Sequence, residues 1–83
     1  MNITTIRIPD PSRTAAFVLA CAEARAAALD NSFVLLDPIN GPSAGAYILH
    51  DEDGWHLYSA TLFDHPAWAS KVLAMILRHG ERD

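Results

Sequence analysis

The groups in this 83-residue chain that could do chemistry crowd into one stretch, His50-Asp51-Glu52-Asp53-Gly54-Trp55-His56. Two imidazoles stand on either side of three carboxylates. If the stretch is a hairpin, the two rings lie across from each other at about 5 Å, within reach of one metal ion. A stable zinc site takes a third or fourth ligand. His65 falls near the far end of the sheet, and Asp51 and Asp53 project from the turn. The set is therefore incomplete, and no metal or cofactor is expected. His50 and His56 then read as surface imidazoles beside Tyr58, a contact patch. Asp51, Glu52 and Asp53 lack the spaced oxygen ligands and the closing glutamate of a calcium loop. They read first as a turn and second as an acidic contact.

Other constellations carry less. Gly41-Pro42-Ser43-Ala44-Gly45 has the G-x-S-x-G spacing of a nucleophile elbow. That chemistry needs the serine on a strand-to-helix turn, with an oxyanion hole and a relaying histidine. Here the motif leads into a strand, in a chain far shorter than that fold, and it reads as a polar loop. Asp64-His65 could form an acid/base pair, but a helix start explains both residues. Cys21 lies on an alanine-rich helical stripe and reads as a buried thiol rather than a nucleophile. No phosphate loop, CxxC or HExxH pattern is present. The expectation is a protein that is not an enzyme.

The element that positions the acidic stretch is a hairpin over Ala46 to Ala60. Two apolar, β-prone runs flank Asp51-Glu52-Asp53-Gly54, which suits a type I turn closed by a left-handed Gly54. With a three-residue loop, Asp51 faces Trp55, His50 faces His56, Leu49 faces Leu57 and Ile48 faces Tyr58. Alternation then puts Tyr47, Leu49, Trp55 and Leu57 in the core, and Ile48, His50, His56 and Tyr58 on a partly wet face.

The rest of the chain supplies a frame for that hairpin. Ile3 to Ile8 alternates as a short strand and stops at Pro9-Asp10-Pro11. Asp10 suits an N-cap and Pro11 a first helical residue, so a helix is expected from Pro11 to about Ala28. Its inward stripe is Thr14, Phe17, Cys21, Ala24 and Ala28. Asn31 tolerates a left-handed cap. Ser32 to Leu36 reads as a central strand buried on both faces, followed by a loop over residues 37–45. After the hairpin, Asp64 or His65 caps a second helix with Pro66 in its first turn. Trp68, Val72, Met75, Ile76 and His79 form its apolar face, widened by Leu73 and Leu77, and Gly80 follows its end. The order is β-α-β-β-β-α. The expected fold class is α+β, a single compact domain over residues 1–83. It has one four-stranded, mostly antiparallel sheet packed with two helices.

Composition narrows the function. Ten acidic residues against six basic give a net charge of −4. Direct nucleic-acid binding needs clustered Lys and Arg, so a basic protein surface is the better partner. A double-stranded RNA-binding domain shares part of the element order, but it wants basic residues where this chain has Asp64-His65-Pro66. A hydrophobic content of 51% suits a folded chain, and the single cysteine suits a reducing compartment. No apolar run approaches the ~20 residues of a membrane span, and the first residues lack a secretory pattern. The expected location is the cytoplasm of a bacterial host cell, as a monomer or homodimer.

Two resemblances follow from these residues. His50-Asp51-Glu52-Asp53-Gly54-Trp55-His56-Leu57 resembles the opening hairpin of HicB-type antitoxins, which carry a similar turn. That implies an antitoxin or regulatory subunit binding a toxin or other partner. The profile of a very small, acidic α+β chain without a catalytic constellation resembles the phage anti-CRISPR proteins. That implies an inhibitor that binds a Cas effector complex and blocks target DNA. The expected contact residues are Asp51, Glu52 and Asp53, flanked by His50, His56 and Tyr58. Asp37 and Asp64 form an alternative patch at the other end of the sheet.

Overall fold

A computed structural model describes residues 2–39, 45–59 and 66–82, the last three of these by backbone alone. The elements run β1 (Asn2–Ile8), α1 (Thr14–Leu29), β2 (Ser32–Pro38), β3 (Ala46–Asp51), β4 (Gly54–Ser59) and α2 (Ala67–Arg82). This is the expected β-α-β-β-β-α order. The four strands form one mixed sheet in the order β1-β2-β3-β4. β1 and β2 pair in parallel, and β2, β3 and β4 form an antiparallel meander.

In β1, Ile8 is buried while Ile3, Thr5 and Arg7 point to the exposed side. Pro9 cannot donate to a ladder and ends the strand. Asp10 then does something other than cap a helix. Its carboxylate accepts the Ser12 N–H at 2.8 Å and its carbonyl accepts the Arg13 N–H at 2.9 Å. These bonds close a turn over Pro11 and Ser12, so α1 starts at Thr14, three residues later than expected, with no side-chain cap on Arg13. Phe17, Ala20, Cys21, Ala24 and Ala28 face inward. Thr14 was expected among them but is exposed, because the helix has only just begun at that point. Asn31, at φ +62°, ends the helix in the left-handed conformation anticipated for it.

β2 runs beside β1 from Asn2↔Ser32 to Ile8↔Pro38. Ser32, Val34 and Leu36 are buried, whereas Phe33 and Leu35 are half-buried. The strand is central but covered on one face only, which corrects the expectation of burial on both. α1 packs on β1 and β2, and α2 packs against α1 and β4. Both helices contribute to one core with Ile8, Val34, Leu36, Ala46 and Ile48, so both lie on the same side of the sheet.

The hairpin register differs from the expected one by a single residue. Asp51 faces Gly54 rather than Trp55, His50 faces Trp55, Leu49 faces His56, Ile48 faces Leu57 and Tyr47 faces Tyr58. The loop is only Glu52-Asp53. Asp51 Oδ1 accepts the Asp53 N–H at 2.8 Å, which tightens the turn so that pairing resumes at Gly54. Gly54 adopts φ +112°, a conformation that suits glycine. A one-residue slip exchanges the faces of a strand. Ala46 and Ile48 therefore enter the core with no exposed surface, and Tyr47 and Leu49 turn to the open side. In β4 the expected inward residues hold, since Trp55 and Leu57 pack against the core.

α2 buries Ala69, Val72 and Ile76, with Trp68 and Met75 packed beside them. Ser70, Lys71, Ala74 and Arg78 face solvent. Leu77 and His79 are exposed, not buried, because the inward stripe runs from Ala69 through Val72 to Ile76 and leaves both off it. Gly80 lies inside the helix, not beyond it. The expected caps Asp64 and His65 lie outside the described residues. No described helix is long and apolar enough to cross a membrane.

Candidate interaction surface

The strand registers sort the acidic residues by end. Asp30, Asp51, Glu52 and Asp53 lie at the end of the sheet where β2 begins and β3 ends. Asp10 and Asp37 lie at the other. At the hairpin tip Asp51, Glu52 and Asp53 are all exposed to solvent. Asp51 is also the most organised. Its Oδ1 lies 2.8 Å from His56 Nε2, in addition to its bond from Asp53 N–H. Alternation explains the first contact, since Asp51 and His56 project from the same face on neighbouring strands as a diagonal pair, two residues apart in register. The hydrogen bond from His56, followed by that from the Asp53 N–H, holds the Asp51 carboxyl below its ordinary value of 3.8.

His50 and His56 do not stand together. His50 faces Trp55 on the helix-covered side, its ring centroid 4.8 Å from the indole at 55°. His56 is on the open side. The cross-strand histidine pair is thus absent, for the same reason that the register moved. Among the described residues no group of three His, Cys, Asp or Glu side chains is placed to hold a metal ion. Cys21 is buried on α1, and burial pushes its thiol up to about 11. Residues 41–44 of the G-x-S-x-G stretch, together with Asp64, lie outside the described residues.

The open face of the sheet holds more than the sequence indicated. Alternation brings Ile3, Phe33, Leu35, Tyr47, Leu49, His56 and Tyr58 onto it. Phe33 meets Tyr47 edge-on at 5.7 Å and Tyr58 at 6.1 Å with a tilt of 30°. Tyr58 in turn stacks with His56 at 6.3 Å. The rings form a continuous array from β2 to β4, and its His56 end is hydrogen-bonded to the acidic tip. Ile3 is 72% exposed and Tyr58 47%. Asp37 shares this face at the opposite end, where Arg7 is its register neighbour. A hollow of about 610 Å³ lies by the tip, lined by Asn31, Leu49, His50, Asp51 and Glu52.

Of the eight residues expected to make contacts, Asp51, Glu52, Asp53, His56 and Tyr58 gather on one surface. His50 is at the same end but turned to the other side, and Asp37 is remote. Phe33 and Tyr47 were not among them. The alternation of Phe33 with Val34 and of Tyr47 with Ile48 was visible, but both faces of each strand are apolar, so the pattern alone could not say which was open. No protein-family model, curated protein or solved structure matches this chain.

Proposed function

We propose that this chain is a non-enzymatic binding protein that docks on a basic, nucleic-acid-binding surface of a larger protein and blocks it. The reading places it with inhibitors of the anti-CRISPR kind, acting on a Cas effector complex before target DNA binds. The observation that carries it is the acidic hairpin tip, Asp51-Glu52-Asp53, exposed to solvent and joined through the Asp51–His56 contact to an open aromatic face. Three carboxylates on a projecting turn can occupy positions that phosphates take in a Lys/Arg groove. A net charge of −4 favours encounter with such a groove through long-range attraction. Exposed apolar surface edged by charge is characteristic of an interaction site.

The test is capture from a bacterial lysate that contains an active CRISPR effector, using tagged protein and washes of rising salt. The reading expects a Cas protein or effector complex to be retained at low salt and lost at high salt. It also expects Glu52→Lys combined with Asp53→Lys to abolish retention. Retention that is indifferent to both salt and charge reversal refutes it. A second reading, a HicB-type antitoxin or regulatory subunit, is favoured by β4, a sheet-edge strand beside the acidic turn. It expects one small toxin-like partner in the same capture.

A further inference from the structure

We infer that the open sheet face selects arginine over lysine, so that the partner presents guanidinium groups to the aromatic array beside the acidic tip. The inference rests on the reading above and names the chemistry of the partner. Carboxylates alone attract either cation. What distinguishes this surface is that the carboxylates adjoin a run of rings. Asp51 touches His56, His56 stacks with Tyr58, and Tyr58 meets Phe33, which meets Tyr47. A guanidinium is planar, weakly hydrated and forked, so it can lie on a ring and pair with a carboxylate at once. An ammonium is a compact, strongly hydrated charge and gains less from the ring.

The charge layout sets where that contact falls. At the far end of the face Asp37 has Arg7 as its register partner, so a basic residue and an acidic one share that end. At the hairpin end Glu52 and Asp53 have no ion-pair partner among the described residues. The hollow of about 610 Å³ bordered by Asp51 and Glu52 opens at this same end. Tyr58, nearly half exposed, offers ring surface that the intrasheet contacts leave open. A nucleic acid would also stack on such rings, but its phosphates would meet three carboxylates, two of them without an ion-pair partner among the described residues.

Binding of oligo-arginine and oligo-lysine peptides of equal length and charge, read by fluorescence anisotropy, tests this. The wild-type chain should bind oligo-arginine more tightly by about fivefold, the scale of an exposed cation–π contact. Tyr58→Leu, which keeps apolar bulk and loses the ring, should bring the ratio toward one while leaving oligo-lysine affinity unchanged. Tyr47→Leu serves as a second ring variant, and circular dichroism confirms that each folds. Glu52→Lys with Asp53→Lys should weaken both peptides and preserve the ratio. Equal affinities in the wild-type chain, or a ratio untouched by both ring variants, overturn the inference while salt-sensitive binding lost on charge reversal keeps the acidic-inhibitor reading. Failure of both peptides to bind at low salt removes both. Tighter binding of oligo-dT than of oligo-arginine overturns the inference in favour of a single-strand platform.

Discussion

The register of the hairpin can be tested by two alanine substitutions on adjacent residues. Ile48 has no exposed surface and packs with Val34, Leu36, Val72 and Ile76 in one core, while its neighbour Leu49 is half-buried on the open face. Truncating a fully buried isoleucine to alanine removes three methyl or methylene groups and leaves a cavity, for about 2–5 kcal/mol. Leu49 has only part of the ~1.5–3 kcal/mol of full leucine burial to lose, and a site open to water leaves no closed cavity. Leu49→Ala should therefore cost roughly 1 kcal/mol. For a domain of this size each kcal/mol moves Tm by about 4–8 °C, so Ile48→Ala should lower Tm by about 10 °C or more and Leu49→Ala by well under that. Urea denaturation followed by far-UV circular dichroism and by tryptophan fluorescence gives both values. Should Ile48→Ala fail to fold while Leu49→Ala folds, that contrast gives the same ordering, and Ile48→Val, at about 0.5–1.5 kcal/mol for a single carbon, confirms that the site is packed. With Asp51 opposite Trp55 the two costs would exchange, because Leu49 would be inside and Ile48 outside. A loss on Leu49→Ala equal to or above that on Ile48→Ala refutes the register and, with it, the open face.

Acid stability should report on Asp51. Its folded pKa lies below 3.8, so its contribution is fully present above that value and is lost as pH falls through the folded pKa, since the unfolded chain takes up the proton first. Asp51→Asn should flatten the acid limb of a stability–pH curve below about pH 4, and an unchanged limb refutes the role. Asp10 is lowered in the same direction by the Ser12 N–H and remains as background. Cys21, with its thiol at about 11, should react with a thiol reagent at pH 8 on the order of 10²-fold more slowly than a free cysteine. Unfolding in urea should restore the rate; rapid labelling of the folded chain contradicts burial.

What the sequence made legible was whatever a local rule decides. Pro9 ends β1, Asn31 ends α1, and the hairpin turn falls at Gly54, each for a stereochemical reason carried by that residue alone. The misreadings share a different cause, a choice between two locally satisfactory arrangements. Asp10 can cap a helix or close a turn with Ser12, and only the packing of the following helix decides. Gly80 could end α2 or sit inside it at a cost of about 1 kcal/mol, which the rest of the helix offsets. Tyr47-Ile48-Leu49 is apolar on both faces of its strand, so alternation gives a period without a phase. The same holds for Phe33-Val34-Leu35-Leu36, whose uninterrupted apolar character looks like burial on both sides. The aromatic face was invisible for that reason: its residues come from β2, β3 and β4, and their sharing one side depends on a register that no single strand encodes.

Asp51 links the turn to the surface. Its Oδ1 accepts the Asp53 N–H and contacts His56, so one carboxylate both shortens the loop and anchors the end of the ring array. The loop length fixes the register, and the register sends Tyr47 and Tyr58 to the same side as His56 and the acidic tip. Replacing Asp51 by alanine would thus disturb the fold and the surface together, and a loss of binding would not say which had failed. Asparagine at this position keeps an oxygen for the Asp53 N–H and removes the charge. Glu52 and Asp53, which hold no strand pairing, carry charge that can be reversed with the turn intact. If Glu52→Lys with Asp53→Lys abolishes partner binding while Asp51→Asn only weakens it, the tip acts through its charge. If Asp51→Asn alone abolishes binding with the fold preserved, the charge on Asp51 rather than those on Glu52 and Asp53 is what the partner reads.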